Sequence, residues 1–382
     1  MPDLERICNV ELARGQVIGL AFAVQASFVS LLAIIAFFAL VIRNSVLLRR
    51  HPFQSHIDIY VTSLLLSDAF HSIMAITYIP WLKDQAVKCG ALCTTQGVLI
   101  QLGPPGAAIS TLAIAIHTFC IIVFRWSPPK SKIVPLVVVS LIWLFNILFA
   151  LIGYAVHGGL HGDPPFYTPS PFWCWVHPFN TTIRIFSEYL WLDIAVFTSI
   201  ALYIPMYFSM KGIIRVESDA WHMVPIVRVR SRHGMIRPPP VIDDIAKKML
   251  WYPLAYAIMV LPFEINRWAY LQKIHPGTAP KDVPFASTGV VLFIFQLAGV
   301  VNVLLLTLTR PNLLLLGRGR NSGGGGRRGP LRDTQVAELS FGQGPNGTII
   351  GADRYVRNPV GDDKDEVPGV PPIPIGLRTM EH

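Results

Sequence analysis

Hydrophobic and polar positions alternate in this chain on a long scale, with apolar runs of roughly twenty residues or more divided by short polar stretches. Seven such runs stand at about 17–42, 57–80, 94–124, 133–155, 187–210, 247–271 and 286–309. Each reaches the roughly 20 residues that carry a helix across a hydrocarbon layer. None shows the period-two alternation of a membrane β-barrel, and in lipid a helix satisfies its own backbone. The pattern predicts an all-α membrane fold, a bundle of seven transmembrane helices. The third run carries "GPPG" at 103–106, where Pro104 and Pro105 remove two amide donors, so a kink is expected near one end of that helix. After Arg310-Pro311 the apolar period stops. "GRGRNSGGGGRRGP" and the rest of 312–382 are rich in Gly and Pro and read as a disordered tail. The chain thus divides into a short N-terminal arm (1–16), a helical domain (17–311) and the tail. No internal repeat is visible, which weighs against transporters built from duplicated halves.

Composition agrees: 52% of residues are hydrophobic and 14% charged, against about 25% charged in a typical soluble domain. The net charge of +9 would suit a nucleic-acid binder, but its distribution follows topology. Fourteen Lys and Arg lie in the loops between runs 1 and 2, 3 and 4, and 5 and 6, counting Lys247 and Lys248 at the opening of run 6, and seven in the N-terminal arm and the remaining loops. The richer side is expected in the cytoplasm, with the N-terminus outside. The bilayer, not nucleic acid, is the expected partner, and the plasma membrane the expected site. No separate leader precedes the first run, which is long enough to stay as a span.

With this orientation "PFWCWVHPFNTT" (171–182) falls in the second outer loop. Asn180-Thr-Thr there is a candidate glycosylation site. Four of the five cysteines (Cys8, Cys89, Cys93 and Cys174, but not Cys120) fall outside, where disulfides persist, and no C-x-x-C pair suggests zinc. A Cys174–Cys93 bond would draw the loop across the bundle and set Trp173 and Trp175 over the space between the helices. Cys89 is the rival partner for Cys174, and Cys8 pairs with whichever is left or stays free. The bland alternative makes both tryptophans interfacial belt residues.

"CTTQGVLIQLG", "IAIHTF" ahead of "RW", "FWCWV", "YPLAYAIMVLPFEINRW" and "LAGVVNVLLLTLTRP" together resemble the cyclic-AMP-receptor-like G-protein-coupled receptors of slime moulds and fungi, allied to the fungal glucose-sensing receptors. The resemblance covers roughly 17 to 311. It implies a Cys93–Cys174 disulfide, a small extracellular ligand, coupling to a heterotrimeric G protein and signalling through adenylate cyclase. Pro104-Pro105 departs from an ordinary third helix. The rhodopsin-type D-R-Y and N-P-x-x-Y signatures are absent, with His117-Thr118 and Asn302 standing near their places as candidate switch residues.

Ionisable groups inside lipid cost roughly 2.5–3.5 kcal/mol on insertion scales, so each needs a partner or a task. Asp68, with His71 one turn on, would meet Asn302 of the seventh helix, either as an activation switch or as a static packing pair. Glu264 and Arg267, spaced i, i+3 beside Trp268, form an ion pair facing the cavity or snorkel outward. Gln96, Gln101, Glu188, Trp191 and Asp193 lie in the same outer half. With Trp173 and Trp175 these residues make the candidate ligand contacts. Arg125, Lys211, Arg215, Lys247 and Lys248 would ring the inner mouth, where a G protein docks, although positive charge is expected there on any membrane protein.

Other classes fare worse. A retinal protein needs a Schiff-base Lys in the seventh helix, and 286–309 contains none. A metal-dependent enzyme would need a third ligand beside Asp68 and His71; no enzyme chemistry and no cofactor is expected. A multi-pass transporter is the runner-up, though no continuous polar route is visible.

Overall fold

In the computed structural model the described residues are 7–49, 53, 55–124, 126, 128–129, 131–156, 165–170, 172–210, 214–216, 226–228, 240–271 and 284–309, with backbone alone over 214–216, 226–228 and 240–253. Seven long helical elements follow in order: α1 (Arg14–Leu48), α2 (His56–Asp84), α3 (Ala91–Ile122), α4 (Ile133–Val156), α5 (Pro178–Met210), α6 (Pro240–Leu271) and α7 (Phe285–Leu308). Among the described residues six of them, α1 to α5 and α7, are long and apolar enough to cross a membrane, so this is a multi-pass membrane protein by helix length and hydropathy. The expected sixth run lies within α6, which opens with Asp243, Asp244, Lys247 and Lys248. The tail after 309 lies outside the described residues.

Neighbouring helices close the bundle. α1 packs on α2 and α7, α6 on α5 and α7, and α3 runs through the middle against α2, α4 and α5. Large apolar side chains point outward, among them Leu32 (64% exposed) and Leu141 (58%), while Asp68, Gln96, Gln101 and Asn146 are buried inside. This inversion of a soluble protein's pattern is what a lipid solvent selects. Pro104 and Pro105 do not break α3, which runs unbroken from Ala91 to Ile122. Glycine flanks the pair, and α2 presses in closely: a β-carbon on Gly103 would lie 2.9 Å from the backbone N of His71.

Capping and turn chemistry set where several of these helices start, break or end. Ser55 opens α2, its amide donating to Asp58 Oδ2 at 2.7 Å. α2 breaks at Thr77 because Pro80 has no amide to offer Ile76. Thr77 Oγ1 donates to the Met74 carbonyl at 2.6 Å there. α7 breaks at Leu297, where Ser30 of α1 donates to the Gln296 carbonyl at 2.7 Å and accepts from Val300 N at 3.3 Å. The fifth run departs most from expectation. A 3-10 turn at Pro178–Asn180 and a π-helical segment at Ile185–Tyr189 precede the regular helix Leu190–Met210.

One end of the bundle carries two small antiparallel sheets. β1 (Asn9–Glu11) pairs with β2 (Ala86–Lys88), and β3 (Tyr167–Pro169) with β4 (Cys174–Val176). A disulfide anchors each region to the helices, Cys8–Cys89 for the N-terminal arm and Cys93–Cys174 for the β3–β4 hairpin. β5 (Ile214–Val216) and β6 (Ile226–Arg228) pair beyond α5 at the other end.

Candidate functional site

The β3–β4 hairpin is packed into the bundle rather than laid over it. Phe166, Tyr167, Phe172, Cys174, Trp175 and Val176 are all buried. Gln96 on α3 holds it, accepting from Cys174 N at 2.6 Å while donating to Thr77 Oγ1 at 2.8 Å. Tyr167 fits because position 97 is glycine; a β-carbon there would run into its ring. The Tyr167 hydroxyl donates to Gln101 Oε1. Buried Arg184 braces the hairpin from α5, its Nε donating to the Val176 carbonyl at 2.5 Å and its Nη2 to Ser170 Oγ at 3.1 Å. His177, buried beside Arg184, has its imidazole pKa lowered to about 4, first by burial and then by the guanidinium.

Beneath the hairpin lies a charged cluster joining α5 to α6. The π-helical segment delivers Glu188 and Tyr189 to the interior. The Arg267 guanidinium donates as a fork to Glu188, Nη1 to Oε1 at 2.6 Å and Nη2 to Oε2 at 2.7 Å, and both side chains are almost wholly buried. Three rings surround the guanidinium: Tyr189 at 4.0 Å, Phe263 at 5.1 Å and Trp175 at 5.6 Å. Such a dry bidentate pair holds well only while both partners stay in place.

The expected i, i+3 ion pair is present, but it is the looser of the two that Arg267 makes. Glu264 Oε1 lies 3.8 Å from Arg267 Nη1, too far for a hydrogen bond, because Glu188 already takes both terminal nitrogens. Neither Glu264 oxygen has a hydrogen-bond partner among the described residues. The same holds for Arg267 Nε, Trp175 Nε1, Ser187 Oγ and Gln101 Nε2. Buried polar atoms are usually satisfied, so such a concentration calls for an explanation.

The remaining candidates divide. Trp268 is 41% exposed; its Nε1 donates to Asp193 Oδ2 at 3.0 Å and its ring meets the edge of Tyr189. Trp173 is half-buried and packs on Phe172. Trp191 turns away, packing on Phe145 of α4 with its Nε1 on the Phe186 carbonyl at 2.9 Å. Asn180 ends the 3-10 turn, half-buried, with Thr181 and Thr182 exposed.

Deeper in the bundle Asn302 Nδ2 donates to Asp68 Oδ2 at 2.8 Å, the expected meeting of α7 and α2. A cavity of about 20 Å³ opens there, lined by Asp68, His71, Asn302, Tyr256 and apolar side chains. The His71 ring meets Phe295 at a tilt and Phe295 stacks on Phe263, so rings connect this centre to the charged cluster. His117 and Thr118 do not join it. They are buried about four helical turns from Gly103 along α3, where the His117 ring sits among His56, Tyr60 and Trp126. Arg125 and Lys211 lie outside the described residues. Arg215 on β5, and Lys247 and Lys248 on α6, are placed by backbone only.

Sequence reasoning missed the Glu188–Arg267 fork, the ring box and the role of Arg184. One signal was available: Arg267 is the one basic residue inside the outer half of the apolar runs, facing several carboxylates. No protein-family model matches the chain, and no curated protein matches it significantly.

Proposed function

We propose that the protein is a seven-helix G-protein-coupled receptor at the plasma membrane, of the cyclic-AMP-receptor-like kind, in which α6 also crosses the membrane and the hairpin end lies outside the cell. A small extracellular ligand is taken at the cluster around Glu188, Glu264 and Arg267. The single observation behind this is that cluster: a buried charged link between α5 and α6 with unsatisfied polar atoms around it, under a disulfide-anchored hairpin. A ligand that satisfies those atoms in only one helix arrangement shifts the bundle toward it by its differential affinity. The ring contacts through Phe263, Phe295 and His71 continue from this site to Asp68 and Asn302. Pro262, two residues before Glu264, gives α6 a place to bend. Outward movement of the far end of α6 would open a crevice for a heterotrimeric G protein bordered by Arg125, Lys211, Arg215, Lys247 and Lys248, with adenylate cyclase downstream.

The test is nucleotide exchange on a co-expressed G protein in membranes, wild type beside Cys174→Ser, across sugars, nucleotides, amines and amino acids. Stimulation by one compound, lost in a variant that still reaches the surface, is expected. The buried carboxyl of Glu264, which accepts no hydrogen bond among the described residues, also favours a second reading, a cation-coupled transporter. Uptake of a labelled solute into proteoliposomes without any exchange activity would select it.

A further inference from the structure

We propose that Glu264 is the anionic subsite for a ligand bearing a protonated amine, with Arg267 Nε and Trp175 Nε1 donating to an oxygen beside that amine. The proposal rests on the cluster being the ligand site and goes on to name the ligand's chemistry. Glu264 is 2% exposed, and neither oxygen has a hydrogen-bond partner among the described residues. Its nearest cation is already used: both Arg267 terminal nitrogens fork onto Glu188. What Arg267 has left is Nε, which points to no acceptor, and Trp175 Nε1 is likewise unpartnered. Among the described residues the vacant hydrogen-bonding capacity is therefore one carboxyl group and the N–H donors of Arg267 and Trp175, together with the Ser187 hydroxyl and the Gln101 amide.

Charge decides between a neutral and a cationic ligand. Glu188, Asp193 and Arg184 on α5 and Glu264 and Arg267 on α6 bear on the site, with Asp68 and His71 on α2 deeper in. Carboxylates outnumber guanidinium groups among them. A polyol would supply hydrogen bonds but no counter-charge for Glu264 beyond its 3.8 Å contact with Arg267. An ammonium supplies both donors and the missing charge, and an anion would be repelled. The rings of Trp175, Tyr189 and Phe263 already form the kind of wall that favours a cation. The cavity lined by Val260, one turn of α6 deeper than Glu264, has about 20 Å³, room for a water-sized guest only. A larger amine enters only as the hairpin or this end of α6 shifts, which ties binding to movement.

Thermal unfolding of the full-length protein in lipid nanodiscs, followed by tryptophan fluorescence, tests this with ethanolamine as probe and ethylene glycol and glycolate as its neutral and anionic counterparts. Ethanolamine is expected to raise the midpoint saturably, and the counterparts to leave it unchanged. Glu264→Gln should weaken the response about 10- to 100-fold, the loss of one charge-assisted contact. The same variant should keep a ligand-free midpoint near that of the wild type, because it replaces a buried carboxyl that accepts no hydrogen bond among the described residues with an amide of the same shape, so loss of response cannot be misread as misfolding. Asp84→Asn, in an exposed pair with Lys88, should respond as wild type. The proposal is overturned if no concentration of ethanolamine shifts the wild type, if ethylene glycol does so equally, or if Glu264→Gln keeps the response. It also falls if acidification alone raises the midpoint and ethanolamine adds nothing, since Glu264 would then be a proton site. Amine binding without nucleotide exchange would sink the receptor reading and leave this one standing; exchange driven by a neutral compound would do the reverse.

Discussion

Arg267→Gln and Glu188→Gln cut the same ion pair from opposite ends, and their costs should differ. Removing Arg267 strands two buried carboxylates, Glu188 and Glu264, and empties the box formed by Tyr189, Phe263 and Trp175. Stranding a buried charge costs about 3–5 kcal/mol. Removing the Glu188 charge leaves Arg267 a substitute, because Glu264 Oε1 stands 3.8 Å from Nη1 and needs only a small rotamer change to close. The expected loss is then the difference between a fork and a single charged contact, about 1–2 kcal/mol. The gap between the variants, about 2 kcal/mol, is roughly thirty-fold in the unfolding equilibrium constant. Equilibrium unfolding in mixed detergent micelles, followed by tryptophan fluorescence, measures both. Adding Glu264→Gln to Glu188→Gln should then cost more than it does in the wild type, where Glu264 is unmatched. Equal losses for the two single variants, or a larger one for Glu188→Gln, would refute the reasoning that Glu264 is a reserve partner.

Both disulfides close loops of the same sequence separation, 81 residues, so chain entropy alone gives them equal worth, about 2–5 kcal/mol each. Cys93 and Cys174 are fully buried, whereas Cys8 and Cys89 are half-exposed, so mild reductant followed by differential alkylation and mass spectrometry should open Cys8–Cys89 first. Gly97→Ala should displace Tyr167 from Gln101 and lower stability by about 1–3 kcal/mol, with faster amide exchange confined to the hairpin. His177 has a folded pKa of about 4 against about 6.5 unfolded. The folded state therefore favours the neutral ring, and stability present above about pH 6.5 is lost as pH falls toward 4; His177→Gln should flatten the thermal midpoint across that window. Asn302→Ala removes a donor from buried Asp68 and should cost about 1–3 kcal/mol, more than Asp68→Asn, which keeps a hydrogen-bonding group in place.

The helices were legible because the lipid-facing residues had to be apolar for whole spans, a constraint written locally and repeatedly. α6 is the weakest case because its first turns carry four charges. The Asp68–Asn302 pair was legible too, since Asp68 is the one carboxylate in the middle of its run and Asn302 one of two carboxamides in the seventh. The Cys93–Cys174 bond came from a resemblance, and Cys8 and Cys89 were left open because loop cysteines carry no register of their own; the β1–β2 ladder that aligns them is a tertiary product. The Glu188–Arg267 fork was hidden for a similar reason. Its partners are 79 positions apart, and the π-helical segment that turns Glu188 inward breaks the 3.6-residue period from which facing is read. The i, i+3 spacing of Glu264 and Arg267 does bring them to ion-pair distance, 3.8 Å, but the hydrogen bonds go to a better-shaped partner, Glu188. Trp191 was misplaced by the same shift in phase.

The most direct test is ligand-independent nucleotide exchange by purified protein reconstituted with a heterotrimeric G protein, comparing wild type, Glu188→Gln and Arg267→Gln at matched folded amounts. If the fork between α5 and α6 holds a receptor in its inactive arrangement, both variants raise basal exchange above wild type, Arg267→Gln the more. Exchange that stays at the background of empty nanodiscs in all three, while the variants alter uptake of a labelled solute into proteoliposomes, would contradict the account.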